Sequence, residues 1–249
     1  MTTRAILVTG ANRGIGRAIV QAILEKSDDT FVYLGARDLN RGASAITELK
    51  ELNSAWVDRI GVLELDVSSD SSVDSAADIV RQSPIQETQL YGIVNNAGMG
   101  YPDSPLEETL EVNVHGIRRV VSAFAPLLTS SGGRIVNLTS AAGPNFVAKC
   151  SSEYQYRLTS ESTSLESLTN LMDDALNYPS RQALETAGLG DGSAYGLSKA
   201  CANTLTMIQA QQYPKHRVNA CTPGFIETEL TRPIAASRGM TPQEMGMKS

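Results

Sequence analysis

The chain has no stretch approaching the roughly 18 consecutive apolar residues of a membrane span, although 41% of its 249 residues are hydrophobic. That leaves ample material for a buried core, and α/β folds of this length are routinely one domain. Positive charge is in deficit: 21 Lys and Arg against 27 Asp and Glu give a formal charge of −6 and a pI near 5.0. This argues against nucleic acid or an anionic membrane as partner, since each needs a basic face. Cysteine is scarce. Cys150, Cys201 and Cys221 are odd in number, far apart and without metal-ligand spacing, so they read as reduced, buried thiols, not a disulfide framework or a zinc site. His115 and His216 show no ligand pattern, and no metal is expected. Internal repeats and low-complexity tracts are missing as well. Met1-Thr2-Thr3-Arg4 runs directly into a strand pattern without an apolar signal region, which makes a soluble cytoplasmic protein the default expectation.

What is present is an alternation. Apolar, β-branched runs at Ile6–Val8, Phe31–Leu34, Val62–Leu65, Ile93–Val94, Ile135–Leu138 and Val218–Ala220 are separated by helical patterns such as Arg17–Leu24 and Ile117–Leu128. The alternation predicts a doubly wound α/β fold, a parallel sheet with helices on both faces. Ligands bind such sheets at the carboxyl ends of the strands. Residues 141–194 break the rhythm. There Leu165, Leu168, Leu171, Met172, Ala175 and Leu176 recur at helical spacing, with Glu161, Glu166, Asp173 and Asp174 nearby. The pattern predicts an amphipathic helix packed on the domain, because a membrane-binding helix would want a basic polar face. Gly188-Leu189-Gly190-Asp191-Gly192-Ser193 reads equally as a hinge or a plain loop.

Three sets of residues carry chemistry. The run Leu7-Val8-Thr9-Gly10-Ala11-Asn12-Arg13-Gly14-Ile15-Gly16 lies between a strand and a helix pattern, where glycines permit a sharp turn and the helix start attracts an anion. It reads as a phosphate cradle for a dinucleotide, or else as an ordinary strand-to-helix turn. Far downstream, Tyr195 and Lys199 sit four apart at the start of a helical pattern and so share a face, which sets an ammonium near a phenol. Alone, such a pair is better explained as an exposed helical pair. Ser140 follows the strand Arg134–Leu138, where its hydroxyl can meet a developing alkoxide, cap the next segment, or be mistaken for its neighbour Thr139. The sequon at Asn137 lies in a buried strand and is discounted.

Taken together in order, Thr9-Gly10-x-x-x-Gly14-x-Gly16, Asp66-Val67, Asn95-Asn96-Ala97-Gly98, Asn113, Ser140, Tyr195 with Lys199, and Pro223-Gly224 followed by Thr228 resemble the short-chain dehydrogenase/reductase family. The resemblance spans nearly the whole chain. It implies a Rossmann fold and an oxidoreductase in which Tyr195 gives a proton to a carbonyl oxygen. Lys199 would lower the phenol's pKa and hold the nicotinamide ribose, Ser140 would bond the alkoxide, and Asn113 would kink its helix and hold a relay water. Toward the cofactor it implies Gly10, Asn12, Arg13, Gly14, Ile15 and Gly16 in the loop, Asp66 and Val67 at the adenine, and Asn96, Ala97 and Gly98 after the fourth strand. Pro223, Gly224, Ile226 and Thr228 would meet the nicotinamide and diphosphate, while Asn95 would be structural. After the second strand stands Ala36 in place of a ribose-binding acid, followed by Arg37, and with Arg13 it suits a 2′-phosphate; the expected cofactor is NADP(H).

Tyr195 follows Ser140 by 55 positions, a helical insertion similar to that of monomeric carbonyl reductases and their plant relatives, which reduce ketones and aldehydes with NADPH. The resemblance therefore implies a monomer acting on a small carbonyl or alcohol, quinones included. Only 25 residues follow Gly224, without a further strand pattern, so six strands are expected. Two function classes remain: this reductase, or the reverse alcohol dehydrogenase, and a non-catalytic dinucleotide-binding sensor or interaction module on the same fold.

Overall fold

The computed structural model describes residues 4–83, 89–100, 104–224, 226–228, 231–237, 239–241 and 244. Six strands, β1 (Arg4–Val8), β2 (Thr30–Ala36), β3 (Ile60–Glu64), β4 (Gln89–Asn95), β5 (Arg134–Leu138) and β6 (Arg217–Cys221), form a parallel sheet in the order β3-β2-β1-β4-β5-β6. The register sets Leu7 beside Tyr33 and Ile93, and Leu34 beside Val62. Sequence expectation and structure agree on the existence of each strand; β3 begins two residues early and ends at Glu64, while Leu65 N–H still bonds the Ala36 carbonyl at 2.9 Å.

The chain groups into two compact units. The first comprises residues 1–97, 116–136 and 215–217. Its helices are α1 (Gly14–Lys26), α2 (Leu39–Leu52), α3 (Asp70–Gln82) and α5 (Gly116–Phe124). Val8, Val20, Leu24, Val32, Leu34, Ala45, Leu49, Trp56 and Ile60 form a continuous apolar core there. Side-chain caps define two of these helix starts: Asp38 accepts the Arg41 N–H at 3.0 Å, and Ser69 accepts that of Ser72 at 3.3 Å. The helix expected over Ile117–Leu128 stops at Phe124. Pro126 removes an amide donor, and the chain tightens into a 3₁₀ turn over Ala125–Leu127.

The second unit comprises residues 98–115, 137–214 and 218–249. It holds α4 (Leu106–Leu110), a π turn (Glu111–His115), α6 (Ala142–Val147), α7 (Ser152–Thr159), α8 (Leu165–Leu176), α9 (Arg181–Thr186), α10 (Ala194–Gln212) and α11 (Thr231–Ser237). Four short helices thus fill the long interval before Tyr195. The 19-residue α10 has buried residues on every side, from Gly196 to Gln209, as a helix enclosed by neighbours must. Within α8, capped by Ser164, residues Leu168, Leu171, Met172 and Ala175 are buried, but Leu176 is 42% exposed and drops out of the expected stripe. Its position in the last turn carries it past the packed face. No helix among the described residues is long and apolar enough to cross a membrane.

Leu171 and Leu176 differ in burial on one helix, which separates packing from propensity. Leu171→Ala is expected to cost about 2–5 kcal/mol and Leu176→Ala no more than about 0.5. Urea unfolding of the two variants checks this; equal losses would mean that α8 packs through a different face.

Candidate active site

In the first unit the Gly-rich turn is built by conformation and by space. Gly10 and Gly14 have φ of +60° and +53°, a region that disfavours side chains. At position 10 a β-carbon would also lie 2.9 Å from Ala97 Cα, and at position 16 it would lie 2.6 Å from the Gly10 carbonyl oxygen. The Asn96 amide nitrogen clamps the turn, donating to Thr9 O at 2.9 Å and Gly10 O at 3.1 Å, while Asn96 and Ala97 N–H both donate to Thr9 Oγ1 at 3.0 Å. Asn12 and Ile15 are half-buried beside the exposed Arg13. Arg13 is the N-cap of α1 and supplies no side-chain cap, so the first-turn N–H groups keep their capacity for an anion.

Arg37 follows β2 and is exposed, next to Asp38, which is engaged as the α2 cap. Burial works against ionisation of Asp66, but hydrogen bonds from Ser68 and the charges of Arg37 and Arg119 bring its carboxyl below the usual range. Its Oδ1 accepts from Ser68 N at 2.9 Å and Ser68 Oγ at 2.6 Å. Val67 is buried, and its carbonyl accepts from Arg119 Nη1 at 2.6 Å. Asn95 is only 2% exposed, in keeping with a structural place.

The second unit brings Asn113, Ser140, Tyr195 and Lys199 into one network. Asn113 sits fully buried in the π turn, where the extra residue per turn aims its side chain across the helix. Its carbonyl oxygen accepts from Met99 N at 2.9 Å, and its amide donates to Met99 O at 2.8 Å and to Ser198 Oγ at 3.0 Å. Ser198 in turn donates to the Tyr195 carbonyl at 2.9 Å. The Ser140 hydroxyl bonds the Tyr195 phenol and also accepts from Ala142 N at 3.2 Å. Thr139, by contrast, is buried, its N–H spent on the Cys221 carbonyl at 2.8 Å. Lys199 Nζ donates to Leu138 O at 3.0 Å and lies 5.7 Å from the Tyr195 ring centroid.

One expectation is corrected. Burial pushes the Tyr195 phenol above its ordinary pKa, with the Ser140 bond pulling the other way, so the net direction is up and not the depression expected from Lys199. The reason is where the ammonium goes: it faces the Leu138 carbonyl and the ring, and its own burial brings it down to about 8.

Sequence reasoning passed over the groups that hold this network. Asn137, fully buried on β5, donates to Thr206 Oγ1 and Gln209 Oε1 of α10, each at 2.9 Å, and so fixes the strand whose next carbonyl receives Lys199. Gly143 lets α6 approach α10 so closely that a β-carbon there would lie 2.8 Å from the Lys199 carbonyl oxygen. Ser198 was visible as a mid-helix serine three residues after Tyr195, a spacing at which the hydroxyl finds a backbone carbonyl. The loop before α10 is pinned. Asp191 accepts from Lys149 Nζ at 3.0 Å and Ser193 N at 3.2 Å, and Ser193 Oγ then caps α10 through Gly196 N at 3.1 Å.

Pro223 is half-buried, while Gly224, with φ +77°, has nothing among the described residues within 4 Å of a β-carbon position, and Ile226 is 48% exposed. Thr228 caps α11, accepting from Thr231 N at 3.2 Å; Phe225 lies outside the described residues. Gly98 is exposed. Cys150 and Cys201 are buried, and burial pushes their thiols up to about 11 and 12, but Cys221 is exposed at the end of β6, against expectation, because that strand's residues are largely uncovered. No group of metal-binding side chains occurs among the described residues.

A lysine with a folded-state pKa near 8, below its ordinary 10.5, binds its proton less readily in the folded chain than in the unfolded one. It therefore opposes folding fully below pH 8, and the penalty fades as pH rises from 8 toward 10.5. Relative to the wild type, Lys199→Met should be favoured most below pH 8, with the difference shrinking by about 2–3 kcal/mol between pH 7.5 and 10. Urea titrations across that range test it, and a pH-independent difference would contradict the burial of a charged ammonium.

The chain is similar to known proteins over most of its length. Residues 4–155 match the family model described as short chain dehydrogenase. Carbonyl reductase (NADPH) 3 of Rattus norvegicus is 32% identical over 92% of this chain and 84% of its own. Among solved structures, salutaridine reductase from Papaver somniferum is similar with a TM-score of 0.80 at 26% identity, covering 98% of this chain and 94% of that one. Menthone neomenthol reductase from Mentha piperita has a TM-score of 0.78 at 27% identity, over 100% and 96%. The chain belongs to the short-chain dehydrogenase family.

Proposed function

We propose that this protein is an NADPH-dependent carbonyl reductase that converts a ketone, aldehyde or quinone to the alcohol, and in reverse oxidises it. The observation that carries the reading is Ser140 bonded to the Tyr195 phenol, with Lys199 5.7 Å from that ring's centroid and Asn113 tied through Ser198 to the Tyr195 carbonyl, a combination that a pure binder has no chemical use for. The relatives named carbonyl reductase (NADPH) support the same reading.

The first unit fits a dinucleotide phosphate. Its turn has no room for side chains at Gly10 and Gly16, α1 begins without a side-chain cap, and Arg13 and Arg37 offer guanidinium groups with Ala36 in place of an acid. Gly10, Asn12, Arg13, Gly14, Ile15, Gly16, Arg37, Asp66, Val67, Asn96 and Ala97 are the residues we assign to it there. To its nicotinamide end we assign Gly98, Tyr195, Lys199, Pro223, Gly224, Ile226 and Thr228. NADPH, when bound, supplies the hydride that the carbonyl carbon receives.

The chain's own residues manage the oxygen. Tyr195 donates its phenolic proton to the carbonyl oxygen as negative charge builds there, and Ser140 stabilises the same oxygen by hydrogen bonding. A phenol whose pKa is raised by burial holds its proton until the oxygen demands it, and Lys199 is the residue we assign to the nicotinamide ribose. Asn113 keeps the surrounding backbone in place. We read the chain as a cytoplasmic monomer and as one domain with a helical insertion at about 141–194, whose α8 spends its apolar side on intramolecular packing.

Turnover of a quinone, an aromatic aldehyde and a vicinal diketone, followed by NADPH oxidation, tests the activity. Tyr195→Phe should lower kcat by about 10²–10⁴-fold while leaving NADPH affinity nearly unchanged; substantial residual turnover would remove the proton-donor role. The Arg37→Ala substitution should weaken NADPH about tenfold to a hundredfold and NADH hardly at all, as for loss of one charge-assisted contact. Equal losses for both cofactors would mean that Arg37 acts through the fold.

A further inference from the structure

Gly100 has no backbone reason to be glycine. Its φ lies outside the left-handed region, so any residue can adopt its conformation. What excludes a side chain is the Tyr195 ring. A β-carbon at position 100 would lie 2.6 Å from Cε2 and 3.0 Å from Cγ of that ring, and closer still to Cδ2. These are separations that packed atoms do not tolerate. The bed under the ring is itself fixed, because Asn113 takes both the N–H and the carbonyl of the preceding Met99, and Asn113 is fully buried.

From this geometry, and resting on the reductase reading above, we infer that Gly100 is the positioning residue for the proton donor. It is the bed against which one edge of the Tyr195 ring rests, so that the phenol reaches Ser140 at the other end. The ring is thereby located by three contacts: Gly100 along its edge, Ser140 at its hydroxyl, and the Lys199 ammonium toward its face. An added methyl pushes the ring outward while leaving the backbone unstrained. Since a misplacement of about 1 Å at a reacting group costs on the order of a hundredfold, the smallest side chain is enough to be felt.

The test is Gly100→Ala, measured in the wild-type and the Tyr195→Phe backgrounds with the same carbonyl panel. In the wild-type background kcat should fall by about 10–100-fold with NADPH affinity unchanged. The pH at which Tyr195 ionises, read from the ultraviolet difference spectrum against Tyr195→Phe, should drop toward the ordinary value as the ring leaves its buried seat. In the Tyr195→Phe background the substitution should cost nothing more, because the phenol it positions is gone. A kcat close to that of the wild type, or a loss that multiplies with Tyr195→Phe, overturns the inference. Wild-type turnover and its collapse in Tyr195→Phe judge the reductase reading separately. Should Gly100→Ala not fold, or should the wild type turn nothing over, ring-labelled tyrosine NMR of the NADP-loaded wild type decides. A ring bedded on Gly100 flips slowly and gives two distinct ε signals, and one averaged signal overturns the proposal.

Discussion

A lysine ammonium held inside the second unit is the constraint on which the rest of that unit depends. Charge removed from water is costly unless a partner is fixed in place, and the partner here is a single backbone carbonyl, that of Leu138 at 3.0 Å. A carbonyl at the end of a strand can serve only if the strand and the helix bearing the lysine are locked together. Asn137, one residue earlier, does this through Thr206 and Gln209, and Gly143 lets α6 close on the same turn of α10. The burial of α10 rests on its apolar residues, and these locks make it tolerable for the one charge it carries inside.

Glycine does two different jobs across the molecule. At Gly10 and Gly14 the backbone itself enters the left-handed region, and the turn could not be made otherwise. At Gly16, Gly100 and Gly143 the backbone is ordinary and only space is at issue, with a carbonyl, a ring and a helix backbone respectively standing where a side chain would go. The first kind is announced by spacing in a sequence, because a strand, a sharp turn and a helix must follow in order. The second kind is silent until the neighbour is known, and the neighbour of Gly100 lies 95 residues away.

The same distinction explains what was legible beforehand. Strand positions followed from apolar β-branched runs, the α8 helix from its spacing, and the set Asn113, Ser140, Tyr195 and Lys199 from motifs that repeat in order. Leu176 was assigned to the buried face because periodicity says which side a residue takes and not where the packing ends. The direction of the Tyr195 shift was missed because residues four apart on a helix are neighbours, yet which atom the ammonium addresses is settled by a strand far away in sequence. Cys221 was expected inside because free cysteines usually are, whereas its strand is mostly uncovered. The Gly188–Ser193 run was open between hinge and loop, since glycine content speaks of freedom and says nothing about a carboxylate that removes it.

That carboxylate, Asp191, ties Lys149 beyond the end of α6 and Arg181 at the start of α9 to the residue that caps α10. Its pKa lies below the usual range despite burial, thanks to Lys149 and the Ser193 amide, so ordinary acidification does not undo the knot. The intervening helices are therefore no detachable cassette, because both of their ends are fastened to the helix that presents Tyr195. Asp191 is the acceptor that seats Ser193, and Ser193 is the cap of the helix that carries Tyr195, so the loop's one carboxylate sets where that helix begins.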